Sequence, residues 1–136
     1  MKRVSGGSHG RILVVDDEVS LLCLMEQFLR RLGYEVDSCS NAEEAFRRFE
    51  AEPETYSLVV TDILMPGLSG KQMVLRLLER NPKIAVVVCS GTPFTVSTLP
   101  PDVQRQVAYV QKPFTPSMLA EAVQRLMGGA AAASAS

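Results

Sequence analysis

The chain has 136 residues, 46% of them apolar and 21% charged, and a formal net charge of -1. This length and composition suit one globular domain and exclude a disordered chain, a collagen-like fibre and a disulfide-dominated miniprotein. The near-zero charge argues against a strongly basic nucleic-acid binder, so we expect no direct nucleic-acid partner. Residues 1–10 predict a flexible leader and residues 128–136 a low-complexity tail, which leaves one folded domain over residues 11–127.

Targeting signals and cysteines point to the compartment of the protein. No apolar run approaches the roughly 18 residues of a membrane-spanning helix, and the leader lacks the apolar stretch of a signal peptide. Cys23, Cys39 and Cys89 are an odd number of cysteines in apolar segments. We therefore expect buried, reduced thiols in a cytoplasmic protein without membrane insertion. His9 stands alone, so no His/Cys cluster supports a zinc site.

The first half of the folded part alternates strands and helices. Residues 12–15 are a short apolar, β-branched run, which is typical of a strand buried on both faces. Apolar residues at helical spacing predict a helix over residues 18–32 that ends at Gly33. Residues 34–39 predict a more polar edge strand, and Asn41 is a favourable N-cap for the helix that follows.

The second half continues the alternation up to one ambiguous segment. Further strands are predicted at 58–61, 84–89 and 108–111, and further helices at 70–80 and 116–127. Thr115 is the predicted N-cap of the last helix, with Pro116 as its first residue. A crossover helix belongs between the last two strands, but three prolines in residues 92–107 disfavour a regular helix there. We expect an irregular loop with one short helix near residues 101–106.

This alternation predicts parallel strands joined by right-handed crossovers, in an open sheet with helices on both faces. Ligands of such folds bind at the carboxyl ends of the strands. Asp16 and Asp17 follow the first strand, Asp62 the third, Ser90 the fourth and Lys112 the fifth. Three converging carboxylates repel one another without a cation, and all-oxygen ligands favour Mg²⁺ or Mn²⁺. A lysine and a hydroxyl beside such an ion suit a phosphoryl group, with a carboxylate as its nucleophile.

The same residues belong to motifs that resemble a known family. In chain order they are Asp16-Asp17, Asp62, Met65-Pro66-Gly67 with Gly70, Ser90-Gly91 and Lys112-Pro113-Phe114. Together they resemble the receiver domain of two-component response regulators, over about residues 11–127. The resemblance implies a flavodoxin-like α/β fold, which is a doubly wound, five-stranded parallel sheet in the order 2-1-3-4-5. It also implies a signalling switch that accepts a phosphoryl group from a sensor histidine kinase or a histidine phosphotransfer protein.

The resemblance assigns roles at the acidic site. Asp62 is implied to be the phosphoacceptor and an Mg²⁺ ligand. Asp17 is implied to bind Mg²⁺ directly, Asp16 largely through a metal-bound water, and Leu64 through its backbone carbonyl. Lys112 is implied to pair with the phosphoryl group. The domain would thus catalyse only its own phosphorylation and dephosphorylation.

The resemblance also assigns the switch. Ser90 occupies the position of the switch hydroxyl and Tyr109 that of the switch aromatic residue. The bond before Pro113 is expected to be cis, as it usually is in the family. Leu64 and Thr92 flank the path of an attacking water, and neither is acidic or amide-bearing. We therefore hypothesise slow to moderate autodephosphorylation.

Two other functions compete with this interpretation. One is an adaptor, or pseudo-receiver, that is not phosphorylated and acts by protein binding only, although the complete set of acidic residues and lysine argues against it. The other is a phosphatase of the haloacid dehalogenase class, which needs an Asp where this chain has Leu64. Within the receiver family, a stand-alone receiver and the receiver of a hybrid sensor kinase both fit the sequence.

Overall fold

The structure is a computed structural model and describes residues 10–63 and 69–127 of the chain. Strands and helices alternate within these ranges as predicted, with boundaries that differ by one or two residues. The strands are β1 (Arg11–Val15), β2 (Glu35–Cys39), β3 (Leu58–Thr61), β4 (Ala85–Ser90) and β5 (Val107–Gln111). The α-helices are α1 (Val19–Arg31), α2 (Ala42–Ala51), α3 (Gly70–Arg80) and α4 (Pro116–Met127).

The five strands form one all-parallel sheet in the order β2-β1-β3-β4-β5. This is the predicted 2-1-3-4-5 order, and β2 lies at an edge, as its polar sequence predicted. The central strands β3 and β4 are buried along their whole length. The register pairs Val15 with Thr61 across β1 and β3, so the carboxylates that follow these two strands become neighbours.

Helices cover both faces of the sheet, as predicted. On one face, α1 and α4 pack through a cluster of buried side chains that includes Leu29 and Val123. On the other face, α2 and α3 pack through a second cluster that includes Phe49 and Val74. Each helix presents one apolar stripe to the sheet, which is the arrangement that a period of 3.6 residues produces. In the described ranges, no helix is both long enough and apolar enough to cross a lipid bilayer.

The helix ends confirm three of the predicted local signals. Gly33 follows α1 with φ of +102°, a left-handed conformation that favours glycine. The Asn41 side chain accepts a hydrogen bond of 3.0 Å from a backbone amide in the first turn of α2. Thr115 caps α4, since its hydroxyl accepts a hydrogen bond of 3.2 Å from the Met118 amide.

The segment between β4 and β5 contains no α-helix, as its prolines predicted. Two 3₁₀ turns replace it, at Val96–Thr98 and Gln104–Gln106. The expected short helix near residues 101–106 is therefore confined to the second of these turns. Leu99 is 2% exposed and anchors the segment in the core shared with α2 and α3. The Gln106 side-chain amide donates hydrogen bonds of 2.8 Å to two backbone carbonyls before β4, which fixes the end of the segment.

One prediction about the cysteines is wrong. Cys39 and Cys89 are buried, but Cys23 is exposed on α1, and all three thiols are free. The apolar neighbourhood of Cys23 in the sequence was misleading, because adjacent residues of a helix point in different directions. Only one of its two apolar neighbours, Leu22, faces the core. Burial raises the pKa of the Cys89 thiol to about 12, so this thiol stays protonated at neutral pH.

Candidate functional site

An ammonium group joins two carboxylates at the carboxyl edge of the sheet. The Lys112 Nζ donates to Asp16 Oδ2 at 2.8 Å and to Asp62 Oδ2 at 2.7 Å. Asp16 follows β1, Asp62 follows β3 and Lys112 follows β5, so the three groups meet although up to 96 residues separate them. The predicted convergence of these three residues is observed.

The second oxygen of each carboxylate is held by a backbone amide. Asp16 Oδ1 accepts from the Glu18 amide at 2.8 Å, and Asp62 Oδ1 accepts from the Ile63 amide at 2.5 Å. Asp16 is only 1% exposed, so its own two partners, the Glu18 amide and the Lys112 ammonium, compensate for the loss of water around its charge. Both carboxylates are therefore oriented before any ligand arrives. Sequence reasoning did not foresee the two amides, because they depend on the local turn after each strand.

The electrostatics of the site keep Lys112 charged. Burial by itself lowers the pKa of this ammonium, but the hydrogen bonds to Asp16 and Asp62 outweigh burial and raise it above its ordinary value. Lys112 thus carries a full positive charge at neutral pH. Asp16 and Asp62 pair with this cation, and the exposed Asp17 lines the same pocket as both of them, so the formal charges of these four groups sum to a negative value.

The residues present fit a hydrated divalent cation. Asp16, Asp17 and Asp62 line one open pocket with about 740 Å³ of empty space, part of it continuous with solvent. No three His, Cys, Asp or Glu side chains in residues 10–63 and 69–127 are grouped so that they could hold a metal ion by themselves. An open site of this kind suits Mg²⁺, which keeps several waters and needs only one or two carboxylates. The predicted backbone ligand, the Leu64 carbonyl, and the Met65-Pro66-Gly67 turn lie outside the described residues.

One wall of this pocket was not foreseen. Ser40 and Asn41, which connect β2 to α2, and Glu43, in the first turn of α2, line this wall. Only Asn41 was singled out from the sequence, and only as a helix cap. The carboxyl end of β2 lies at the same edge of the sheet as the ends of β1 and β3, and this rule alone identifies the residues after β2 as neighbours of the site.

The two predicted switch residues contact each other next to the acidic site. Ser90 is 3% exposed, and its hydroxyl accepts a hydrogen bond of 3.0 Å from the Thr92 amide. The Tyr109 hydroxyl donates to the carbonyls of Ser90 and Thr92, at 3.1 Å each. Tyr109 therefore closes the loop that carries the Ser90 hydroxyl. The bond between Lys112 and Pro113 is cis, as predicted.

Comparisons with known proteins agree with this geometry. A family model described as the response regulator receiver domain matches residues 12–124. The two-component response regulator ARR14 of Arabidopsis thaliana is 37% identical over 90 residues, which are 65% of this chain and 24% of that protein. The chain thus spans about a quarter of the length of this relative.

Solved structures of other proteins share the fold of this chain over most of its length. The response regulator receiver domain protein from Clostridium thermocellum superposes with a TM-score of 0.72 at 28% identity, covering 88% of this chain and 94% of that one. The receiver domain from the hybrid histidine kinase CckA gives a TM-score of 0.63 at 31% identity, with 86% and 99% covered. At this coverage, both matches extend over most of the chain.

Proposed function

Because the chain belongs to the response regulator receiver domain family, we propose that it is a phosphorylation-dependent switch whose phosphoacceptor is Asp62. The observation that carries the proposal is the Lys112 ammonium, which lies within 2.8 Å of a carboxylate oxygen of both Asp16 and Asp62. A partly buried cation beside two oriented carboxylates suits the addition of a doubly charged phosphoryl group. Mg²⁺, held by Asp16, Asp17, Asp62 and the Leu64 carbonyl, is the proposed cofactor.

The proposed reaction transfers the phosphoryl group from a phosphohistidine of the donor. An oxygen of the Asp62 carboxylate attacks phosphorus, and the P–N bond breaks with its electron pair on the imidazole nitrogen. Lys112 exchanges a carboxylate partner for an oxygen of the incoming group and so neutralises part of its charge. Mg²⁺ held by Asp16, Asp17 and Asp62 would supply further positive charge for the phosphoryl group. The product is an aspartyl phosphate, which water then hydrolyses.

The proposed switch begins at Ser90. Its hydroxyl leaves the Thr92 amide and donates to a phosphoryl oxygen, so the loop that Tyr109 closes must rearrange. Tyr109 then moves, and the surface formed by residues 92–114 changes. This surface is the proposed output face for a protein partner. Its 3₁₀ turns distinguish it from a surface built on a regular helix.

The donor and the cellular context belong to the same proposal. A sensor histidine kinase or a histidine phosphotransfer protein is the proposed donor, and a stand-alone receiver and a receiver within a hybrid kinase both fit. We place the protein in the cytoplasm and keep residues 11–127 as the proposed domain. The pseudo-receiver alternative is not favoured, because the acceptor, the lysine and the acidic residues are all present and Lys112 contacts two of the carboxylates.

Beryllofluoride, a tetrahedral analogue of an attached phosphoryl group, tests the acceptor. We expect the wild-type protein to bind it only with Mg²⁺, and Asp62→Asn to lose binding, because the amide lacks the charged oxygen that completes the analogue. Calorimetric titration with beryllium and fluoride measures the binding of the analogue to the wild-type protein, with and without Mg²⁺, and to Asp62→Asn. Asp102→Asn is the control, since it makes the same change at an exposed position. A folded wild-type protein that takes up no analogue would favour the adaptor function instead.

The lifetime of the aspartyl phosphate tests the hypothesis about hydrolysis. We expect a half-life of minutes or longer in the isolated protein, because neither Leu64 nor Thr92 carries a group that orients an attacking water. The measurement follows loss of the phosphoryl group by intact-mass spectrometry after removal of a small phosphodonor. Thr92→Gln is expected to shorten the half-life, and a wild-type half-life of a few seconds would contradict the hypothesis.

A further inference from the structure

Thr61, the last residue of β3, is a buried polar side chain that the proposed reaction does not use. Apart from tyrosines and cysteines, the buried polar residues within 10–63 and 69–127 are Asp16, Thr61, Asn81 and Ser90. Asp16 and Ser90 belong to the acidic site and its switch. The Asn81 side chain binds backbone groups of the loops around it. Thr61 is 5% exposed and directly precedes the acceptor, so its hydroxyl is the one without an assigned role.

The Thr61 hydroxyl binds the peptide group that joins the acceptor to the next residue. It donates a hydrogen bond of 2.9 Å to the carbonyl oxygen of Asp62. The sulfur of Met73 also lies within reach, at 4.0 Å, but a thioether is a weak acceptor. The single hydroxyl proton therefore belongs to the carbonyl, and the bond fixes the direction in which this carbonyl points.

The same peptide group holds the acceptor carboxylate. A peptide unit is planar, so the carbonyl of Asp62 and the amide of Ile63 turn together. That amide donates to Asp62 Oδ1 at 2.5 Å, while Lys112 holds Oδ2 at 2.7 Å. A hydroxyl that fixes the carbonyl thus also fixes the amide beside Oδ1. By polarising the peptide group, it strengthens the bond from this amide to the carboxylate as well.

The surroundings of Thr61 hold its side chain in place without requiring a hydroxyl. Thr61 pairs with Val15 on one neighbouring strand and with Val88 on the other, and its side chain lines the apolar crevice beside Met73. A β-branched side chain has few rotamers in such a site. Valine has the same shape as threonine, so packing alone does not explain a polar group here. The bond to the Asp62 carbonyl does.

We propose that Thr61 is a positioning residue for the acceptor, whose hydroxyl orients the peptide group between Asp62 and Ile63 and through it the carboxylate. The inference rests on the proposed function, in which Asp62 takes the phosphoryl group. A carboxylate that is held in one orientation attacks phosphorus faster than one that rotates, because less orientational freedom is lost in the transition state. Thr61 acts on the reaction only through this backbone group.

The rate of phosphorylation by acetyl phosphate at saturating Mg²⁺ tests this role. We expect Thr61→Val to react about three to ten times more slowly than the wild type, the factor that corresponds to one neutral hydrogen bond. Thr61→Ser keeps the hydroxyl and is expected to restore the wild-type rate. Val59→Ala is the matched control, because Val59 is buried two residues earlier and lines the same crevice. It should loosen the same part of the core and keep the wild-type rate.

The NMR signal of the Ile63 amide gives a second readout that does not depend on phosphorylation. A hydrogen bond to a carboxylate moves an amide proton downfield and protects it from exchange with water. We expect Thr61→Val to move this proton upfield and to speed its exchange, and Thr61→Ser to change neither. The Glu18 amide, which donates to Asp16 at 2.8 Å, is the internal control and should stay unchanged. Thr61→Ala also lacks the hydroxyl and serves if the valine variant does not fold.

The outcomes separate this role from the proposed function. A wild-type rate in a folded variant without the hydroxyl, an equal loss of rate in Val59→Ala, or an unchanged Ile63 amide in Thr61→Val would overturn the inference. A slow Thr61→Ser would do the same, because the hydroxyl would then not be the group that matters. A wild-type protein that acquires no phosphoryl group would instead refute the proposed function, and the Ile63 signal would still decide whether Thr61 orients this peptide group.

Discussion

Replacing Lys112 by methionine should slow phosphorylation from a small phosphodonor such as acetyl phosphate by about 10²–10³-fold. The ammonium lies 2.7 Å from the Asp62 carboxylate, and no other Lys or Arg pairs with this group in the described part of the chain. Methionine has a similar length but no charge, so the attack on phosphorus loses its fixed counter-charge. The rate is measured by intact-mass spectrometry at saturating Mg²⁺.

The same substitution should destabilise the metal-free fold by about 3 kcal/mol, the lower end of the cost of breaking a buried ion pair. Asp16 is 1% exposed and loses its charged partner, while Asp62 stays nearby with the same sign. Urea denaturation in EDTA measures the loss, and added Mg²⁺ should recover part of it. Lys71→Met removes the same charge from an exposed position on α3 and is the control. A phosphorylation rate within tenfold of the wild type would contradict the role given to Lys112.

Replacing Phe49 by alanine should reduce the free energy of unfolding by about 3–5 kcal/mol. The side chain is completely buried on α2, and its ring stacks on Tyr56 at a centroid distance of 6.4 Å. A crevice beside Phe49 already separates α2 from α3, so truncation enlarges an existing space. Small domains are stable by about 5–15 kcal/mol, so the expected loss is a large share of the total.

Phe46→Ala provides the matched control, one turn earlier on the same helix. Phe46 is only partly buried, and the guanidinium of Arg76 lies 5.2 Å from its ring centroid. We expect a loss of about 1–2 kcal/mol from this change, from the reduced burial and the lost cation–π contact. Urea denaturation of both variants gives the comparison. If both variants lost the same free energy of unfolding, the degree of burial would not explain how much each ring contributes to stability.

Local signals in the sequence were sufficient for the alternation of strands and helices. Each of these signals acts over only a few residues, so it can be recognised in the sequence without knowledge of tertiary contacts. They are the apolar run of residues 12–15, the glycine after α1, the Asn41 cap and the prolines before β5. These signals do not determine the order of the strands in the sheet, because alternation alone permits several orders. The family resemblance implied the order, and the structure confirms it.

For the candidate site, too, the sequence determined some features and the tertiary structure determined the others. The sequence by itself determined which residues follow the strands, and therefore that Asp16, Asp62 and Lys112 share one edge of a parallel sheet. Only the tertiary structure decided that Lys112 contacts both carboxylates and that Tyr109 packs on Phe94. It also decided that Cys23 faces solvent, in spite of its apolar neighbours.

The physical reason is the range of the forces involved. Backbone hydrogen bonds, caps and apolar periodicity act between residues a few positions apart, so a single sequence records them directly. Side-chain contacts such as that between Lys112 and Asp16 join residues 96 positions apart. Their geometry depends on how every intervening element packs, because a shift of one side chain by about an ångström makes or breaks a hydrogen bond.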